Sequence, residues 1–130
     1  MNFKWDDAKY NAWVDAHEGP VIPAMMKFVE YLEANQVKFA FITGRDEKVR
    51  KVTEANLQNF GLENRYVELI MRTSSDKNTP AAEFKLTQRY KLSKDKGYNI
   101  IACVGDQVSD CTGSYTGFRF KVPNYMYLIQ

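Results

Sequence analysis

The run IIACVGDQVSD carries two carboxylates, Asp106 and Asp110, four positions apart behind an apolar stretch that stops at Gly105. Carboxylates are hard oxygen ligands, and Mg²⁺ characteristically takes one or two of them together with waters and substrate phosphate. A second group stands in the triplet TGR: Thr43 brings a hydroxyl able to donate to an anionic oxygen, Gly44 lets backbone come close, and Arg45 adds a cation. Lys77 and Lys85 are mobile cations, either of which could neutralise a phosphoryl group. Hydroxyl, cation and carboxylates are the components of a phosphoryl-transfer site, with the nucleophile missing from the set. Each residue also has a plainer reading: Asp106 ends a strand, Asp110 caps a turn, and either lysine is a solvated cation.

Such chemistry requires these residues to converge, and the order of predicted elements offers a way. Ile100, Ile101, Cys103 and Val104 form a continuous apolar run, which predicts a strand buried on both faces. VKFAFIT predicts an earlier strand, followed by a turn and helix through GRDEKVRKVTEANLQNFG with Asp46 as N-cap and Gly61 as C-cap. YVELIM reads as a strand, RTSSDKNTP as an exposed loop, AAEFKLTQRYKLSKDKG as a helix closed by Gly97, and FRFKVP as a last short strand. Upstream, the stretch from Asp7 to about Ala16 and that from Pro23, with Met25, Met26, Phe28, Val29 and Leu32, predict two further helices. Strands separated by helices of this length imply βαβ units and a largely parallel sheet, hence an α/β fold. In open α/β sheets ligands bind outside the carboxyl ends of the strands, which would gather TGR and both aspartates on one edge.

Bulk properties fit a single domain over residues 1–130: 45% of the 130 residues are hydrophobic and 26% charged, enough for one modest core. A net charge of +2 from 18 basic and 16 acidic side chains leaves no footprint for nucleic acid or an anionic membrane. The helix KLTQRYKLSKDKGY is basic, but a solvated face explains it. Cys103 and Cys111 lack CxxC spacing and make no disulfide framework, which fits a reducing compartment or simple core packing. The opening MNFKWDDAKY has no apolar run of the signal-peptide kind, and no window approaches a membrane span, so the chain as written is expected in the cytoplasm. His17 has no second histidine to make a metal site and is expected at the surface or in a cap.

In FITGRDEKVRKVTEANLQNFG, SSDKNTPAAEFKLTQRYKL and GYNIIACVGDQVSDCTGSYTGFRFKVPNYMYLI, and more weakly in NAWVDAHEGPVIPAM, the sequence resembles the haloacid dehalogenase (HAD) superfamily. Within it, the likeness is to the acid phosphatases that include bacterial class B and C enzymes and plant vegetative storage proteins. The resemblance implies a small three-layer, Rossmann-like parallel sheet with helices on both faces. It makes Thr43 the motif II hydroxyl that holds a phosphoryl oxygen, Lys85 the motif III lysine, with Lys77 as the alternative, and Asp106 the motif IV carboxylate on Mg²⁺. Asp110 becomes its partner, acting on the metal or through its waters, while Gly44 and Arg45 are accessory phosphate contacts. Phosphate or a phosphomonoester is the implied ligand, and members of the family are often exported.

The resemblance also exposes a departure. The family's motif I, a strand followed by Asp-x-Asp-x-Thr/Ser, supplies the nucleophile, the general acid and metal contacts, and nothing of that form stands in the 130 residues. Asp6 and Asp7 lack a preceding apolar strand and the right spacing, and Asp15 falls inside a helical pattern, so none replaces it. Because that strand is central in the family, its place between VKFAFIT and NIIACVG must be closed up by direct pairing or filled by MNFKW, by YMYLI or by a second copy in a strand-exchanged or strand-bridged homodimer. The expected function is a catalytically degenerate phosphatase relative, N-terminally truncated, that keeps at most a phosphate and Mg²⁺ cradle. The alternative is an active Mg²⁺-dependent phosphomonoesterase whose nucleophile comes from another chain, from an upstream segment or through water.

Overall fold

The computed structural model describes residues 6–16 and 20–124. Its elements alternate as the apolar pattern implies: helix α1 (Asp7–Asp15), helix α2 (Pro23–Ala34), strand β1 (Ala40–Asp46), helix α3 (Arg50–Asn59), strand β2 (Glu68–Arg72), helix α4 (Ala81–Lys94), strand β3 (Ala102–Gly105) and strand β4 (Phe118–Lys121). Three short 3-10 turns, Glu47–Val49, Ser74–Asp76 and Val108–Cys111, lead out of β1, β2 and β3. Local chemistry sets the boundaries. Asp6 accepts the Ala8 and Lys9 amides at 3.0 and 3.1 Å to start α1, Pro23 opens α2, and the Asp46 carboxylate accepts the Lys48 amide at 2.9 Å.

The strands form two two-stranded sheets, β1 with β2 and β3 with β4. β3 and β4 run parallel, with Ala102 opposite Phe118 and Gly105 opposite Lys121. The ladder is prolonged at both ends, where Phe118 donates to the Ile101 carbonyl and Val122 to the Gly105 carbonyl, each at 2.9 Å. Gly117 permits this entry: its φ is +58°, and a Cβ there would collide with the Ile101 carbonyl. The mixture of helices and parallel strands is the expected α/β class. Direct pairing of the VKFAFIT and NIIACVG segments does not form among the described residues, where no ladder joins β1 to β3. The other candidates for that place, MNFKW and YMYLI, lie outside the described residues, as does His17.

Two compact units divide the chain, one of Met1–Phe41 with Asp46–Leu69, the other of Ile42–Arg45 with Ile70–Gln130. In the first, Val29, Leu62, Leu69 and the Thr53 side chain are buried, and Phe41 meets Phe39 and Tyr66 edge to face. Arg50 ties its own helix to the strand that follows, donating to Glu47, to Glu54 at 3.2 Å and to the Leu69 carbonyl at 3.0 Å. In the second, Met71, Phe84 and Leu92 form the apolar core beside buried Arg89, Gln107, Ser109, Asp110 and Cys111.

One expectation about burial fails in this second unit. Ile101 is 50% exposed and Ala102 is also exposed, so the apolar run before Gly105 is not covered on both faces. On the neighbouring strand Phe118 and Phe120 are 76% and 53% exposed. Among the described residues this sheet has two strands; register places Ala102, Val104, Phe118 and Phe120 on one face, and no described element covers the phenylalanines.

Candidate functional site

From Gly105 the chain bends through Asp106 and Gln107 into the Val108–Cys111 turn, whose end folds back on its beginning. Asp110 Oδ2 accepts the Gln107 amide at 2.9 Å, while the Asp110 amide donates to the Gln107 carbonyl at 3.1 Å. The Asp110 side chain thereby lies against the end of β3, in space that only a glycine leaves, since a Cβ at position 105 would collide with it.

Helix α4 meets this turn with two cations one helical turn apart, Lys85 and Arg89. Lys85 Nζ pairs with Asp110 Oδ1, their side chains 13% and 10% exposed, so the ion pair is nearly withdrawn from water. Arg89, almost fully buried, spends its fork on main chain: Nη1 donates to the Asp110 carbonyl at 2.6 Å, Nη2 to that of Thr112, and Nε to that of Ser114 at 3.4 Å. One guanidinium therefore holds three carbonyls of the carboxylate loop. Burial lowers its pKa, yet an arginine stays charged.

Asp106 faces different partners. Its Oδ2 accepts hydrogens from the Asn124 side chain and, at 3.5 Å, from Gln107 Nε2; its Oδ1 carries no protein hydrogen bond among the described residues. Asp110 has both oxygens engaged, whereas both hydrogen bonds to Asp106 among the described residues fall on its Oδ2. Among the described residues no three His, Cys, Asp or Glu side chains cluster as a metal cage. A Mg²⁺ ion needs no such cage, because it is commonly held by one or two carboxylates, waters and phosphate. Asp106, with its neighbouring Lys85–Asp110 pair, fits that mode as a single-carboxylate site.

The TGR triplet sits differently from expectation. Thr43, Gly44 and Arg45 lie inside β1, which runs on to Asp46, rather than in a turn beyond it. Thr43 Oγ1 accepts the Arg45 amide at 3.3 Å, and Gly44 stands near Arg72. Arg72 in turn donates to the Asp76 and Thr79 carbonyls at 2.9 and 2.8 Å and lies over the Phe84 ring. Lys85, Asp106 and Asp110 are brought together around one turn; among the described residues no hydrogen bond ties Thr43 to them, and Lys77 is exposed on its loop.

Three residues of this arrangement were not singled out from the sequence: Arg89, Gln107 and Asn124. Arg89 carried a usable sign, its spacing of four from Lys85 on one helix face. Gln107 and Asn124 had none, since their bonds depend on how the turn closes and where the chain returns after β4. The two sulfurs also meet here: the Cys111 thiol donates to Cys103 Sγ at 3.0 Å, and Cys103 to the Asp110 carbonyl at 3.3 Å. Burial pushes the Cys103 thiol up to about 12.

A family model described as HAD superfamily, subfamily IIIB (acid phosphatase), matches residues 2–130. The Stem 28 kDa glycoprotein of Glycine max is 36% identical over 98% of this chain and 50% of its own length. Acid phosphatase 1 of Solanum lycopersicum is 34% identical over 96% of this chain and 49% of its own, and Vegetative storage protein 1 of Arabidopsis thaliana is 31% identical over 92% and 44%. The chain thus spans about half the length of the curated relatives it matches. Among solved structures, a class C acid phosphatase from Bacillus anthracis with tungstate bound superposes with a TM-score of 0.77 at 21% identity, over 96% of this chain and 57% of that one.

Proposed function

The chain belongs to the HAD superfamily, subfamily IIIB, of acid phosphatases, and from that membership we propose that its 130 residues form a phosphate- and Mg²⁺-binding cradle without the nucleophile of a working enzyme. One observation carries the reading: Lys85, Asp106 and Asp110 converge on a single turn, with Asp106 Oδ1 unbonded among the described residues, while the 130 residues contain no Asp-x-Asp pair to attack phosphorus. In this reading Asp106 holds the metal, Asp110 orients Lys85 toward the phosphoryl group and acts on the metal through its waters, and Thr43, Gly44 and Arg45 supply further phosphate contacts. Mg²⁺, when bound, supplies charge neutralisation at the phosphoryl oxygens. The tungstate held by the bacterial neighbour, an oxyanion of phosphate shape, supports an anion as the ligand.

Loss of a covalent nucleophile removes roughly 10⁴-fold or more of rate, by the scale at which catalytic units fail when dissected. The experiment that tests the reading is hydrolysis of an aryl phosphate with and without Mg²⁺, beside equilibrium binding of phosphate, for the wild type and Asp106→Asn. Mg²⁺-dependent phosphate binding without turnover, weakened by the substitution, is expected. Metal-dependent turnover lost in Asp106→Asn would replace this reading with an active phosphomonoesterase. The similarity to a protein named acid phosphatase, about twice as long, favours that second reading where another polypeptide or further chain brings the nucleophile. A homodimer that pairs strand edges unpaired among the described residues, in a cytoplasmic setting, completes the proposal.

A further inference from the structure

Cys103 lies on β3 and Cys111 closes the Val108–Cys111 turn, and their sulfurs stand 3.0 Å apart, about an ångström beyond bonding distance. The fold imposes this approach from both sides. β3 is held by its ladder to β4, and the residues next to Cys111 are held by Arg89 through the Asp110 and Thr112 carbonyls. Residues 104–110, with both carboxylates, form the segment between the two thiols. We propose that Cys103 and Cys111 are a redox-responsive pair that closes an intrachain disulfide around the carboxylate loop, with a small-molecule disulfide of the glutathione kind as oxidant.

The two sulfurs differ in access: Cys103 is half-buried and Cys111 is buried. Cys103 is therefore the point of entry. Burial keeps its thiol protonated, so entry is slow and follows loss of that proton: the thiolate then attacks one sulfur of the oxidant, breaking that S–S bond and forming a mixed disulfide, and the departing thiolate takes up a proton and leaves as a free thiol. Cys111, already in contact, then displaces the second small thiol from Cys103, so two protein thiols are oxidised and one oxidant disulfide is reduced to two thiols. A loop this short closes with little movement, and the ring restrains Asp106 and Asp110 in place of the thiol hydrogen bond to the Asp110 carbonyl.

The test equilibrates the full chain with oxidised and reduced glutathione in equal amounts, then quenches with an alkylating reagent and reads intact and peptide masses. Expected is the loss of both alkylatable thiols, a mass lower by two hydrogens, and a peptide pair linked through residues 103 and 111. Cys111→Ser is expected to retain one glutathione on Cys103, because nothing resolves the mixed disulfide. Two thiols still open to alkylation, glutathione retained on the wild type, or a disulfide between chains would each overturn the proposal. None of these readouts depends on phosphate or metal binding.

Discussion

At the scale of single residues, Lys85 pairs with Asp110 in a nearly buried contact, whereas Lys77 is exposed on its loop. Two charges this far from water attract strongly, but each forfeits hydration, so removing one partner costs more than the pair contributes. Lys85→Met is expected to lower unfolding free energy by about 3–5 kcal/mol, since it leaves Asp110 buried without a cation. Lys77→Met, on an exposed loop, is expected to stay within about 0.5 kcal/mol. Urea unfolding of Lys85→Met, Asp110→Asn and the double variant checks this: the double should cost clearly less than the two singles combined, and strict additivity would mean the pair is uncoupled. Gly105→Ala probes the same site from the strand side. Its methyl group would take the space of the Asp110 side chain, with an expected cost of about 1–3 kcal/mol in the same assay.

Elements were legible from the sequence where their own residues specify them, and less so where partners do. Pro23, Asp46, Gly61 and Gly97 mark boundaries by backbone chemistry, and the structure ends or begins elements at or beside each of them. α4 was found by its length, yet its inward face was misjudged: Arg89 reads as part of a solvated basic face and is instead buried against carbonyls that no local pattern announces. β1 runs three residues past its apolar stretch because pairing, rather than hydrophobicity, decides where a strand stops. The turn after β2 makes a sharper prediction. Asp76 Oδ2 accepts the Thr73 hydroxyl and amide, at 2.6 and 2.9 Å, and that pairing, the hydroxyl first, holds its carboxyl below the usual 3.8. A depressed carboxyl contributes stability that is complete above its unfolded value and lost as pH falls through the folded one. Following the Asp76 carboxyl by NMR should thus show titration below 3.8, returning toward that value in Thr73→Val, which lacks the hydroxyl.

Across the whole molecule, strand connectivity carries a consequence that no single residue states. β1 pairs only with β2, and β3 only with β4, among the described residues, so each sheet presents an edge with no strand beside it there. Unpaired edges expose rows of backbone donors and acceptors that readily take up another chain, and β4 adds the exposed rings of Phe118 and Phe120. Most of the fold was legible because helix and strand periods are local; the closure of the sheet was not, because it depends on which segments meet. An edge unpaired among the described residues and an apolar face in one small sheet both lose free energy to water unless another strand or surface meets them, and on that ground we propose that the 130-residue chain associates with itself. Sedimentation velocity across a concentration series is expected to show a monomer passing to a dimer, and Phe118→Lys with Phe120→Lys is expected to shift that passage to concentrations higher by tenfold or more, as each ring buried is worth about 1.5–3 kcal/mol. A monomer at every concentration would mean that these edges are closed within the chain, leaving no place for a second copy to add a strand.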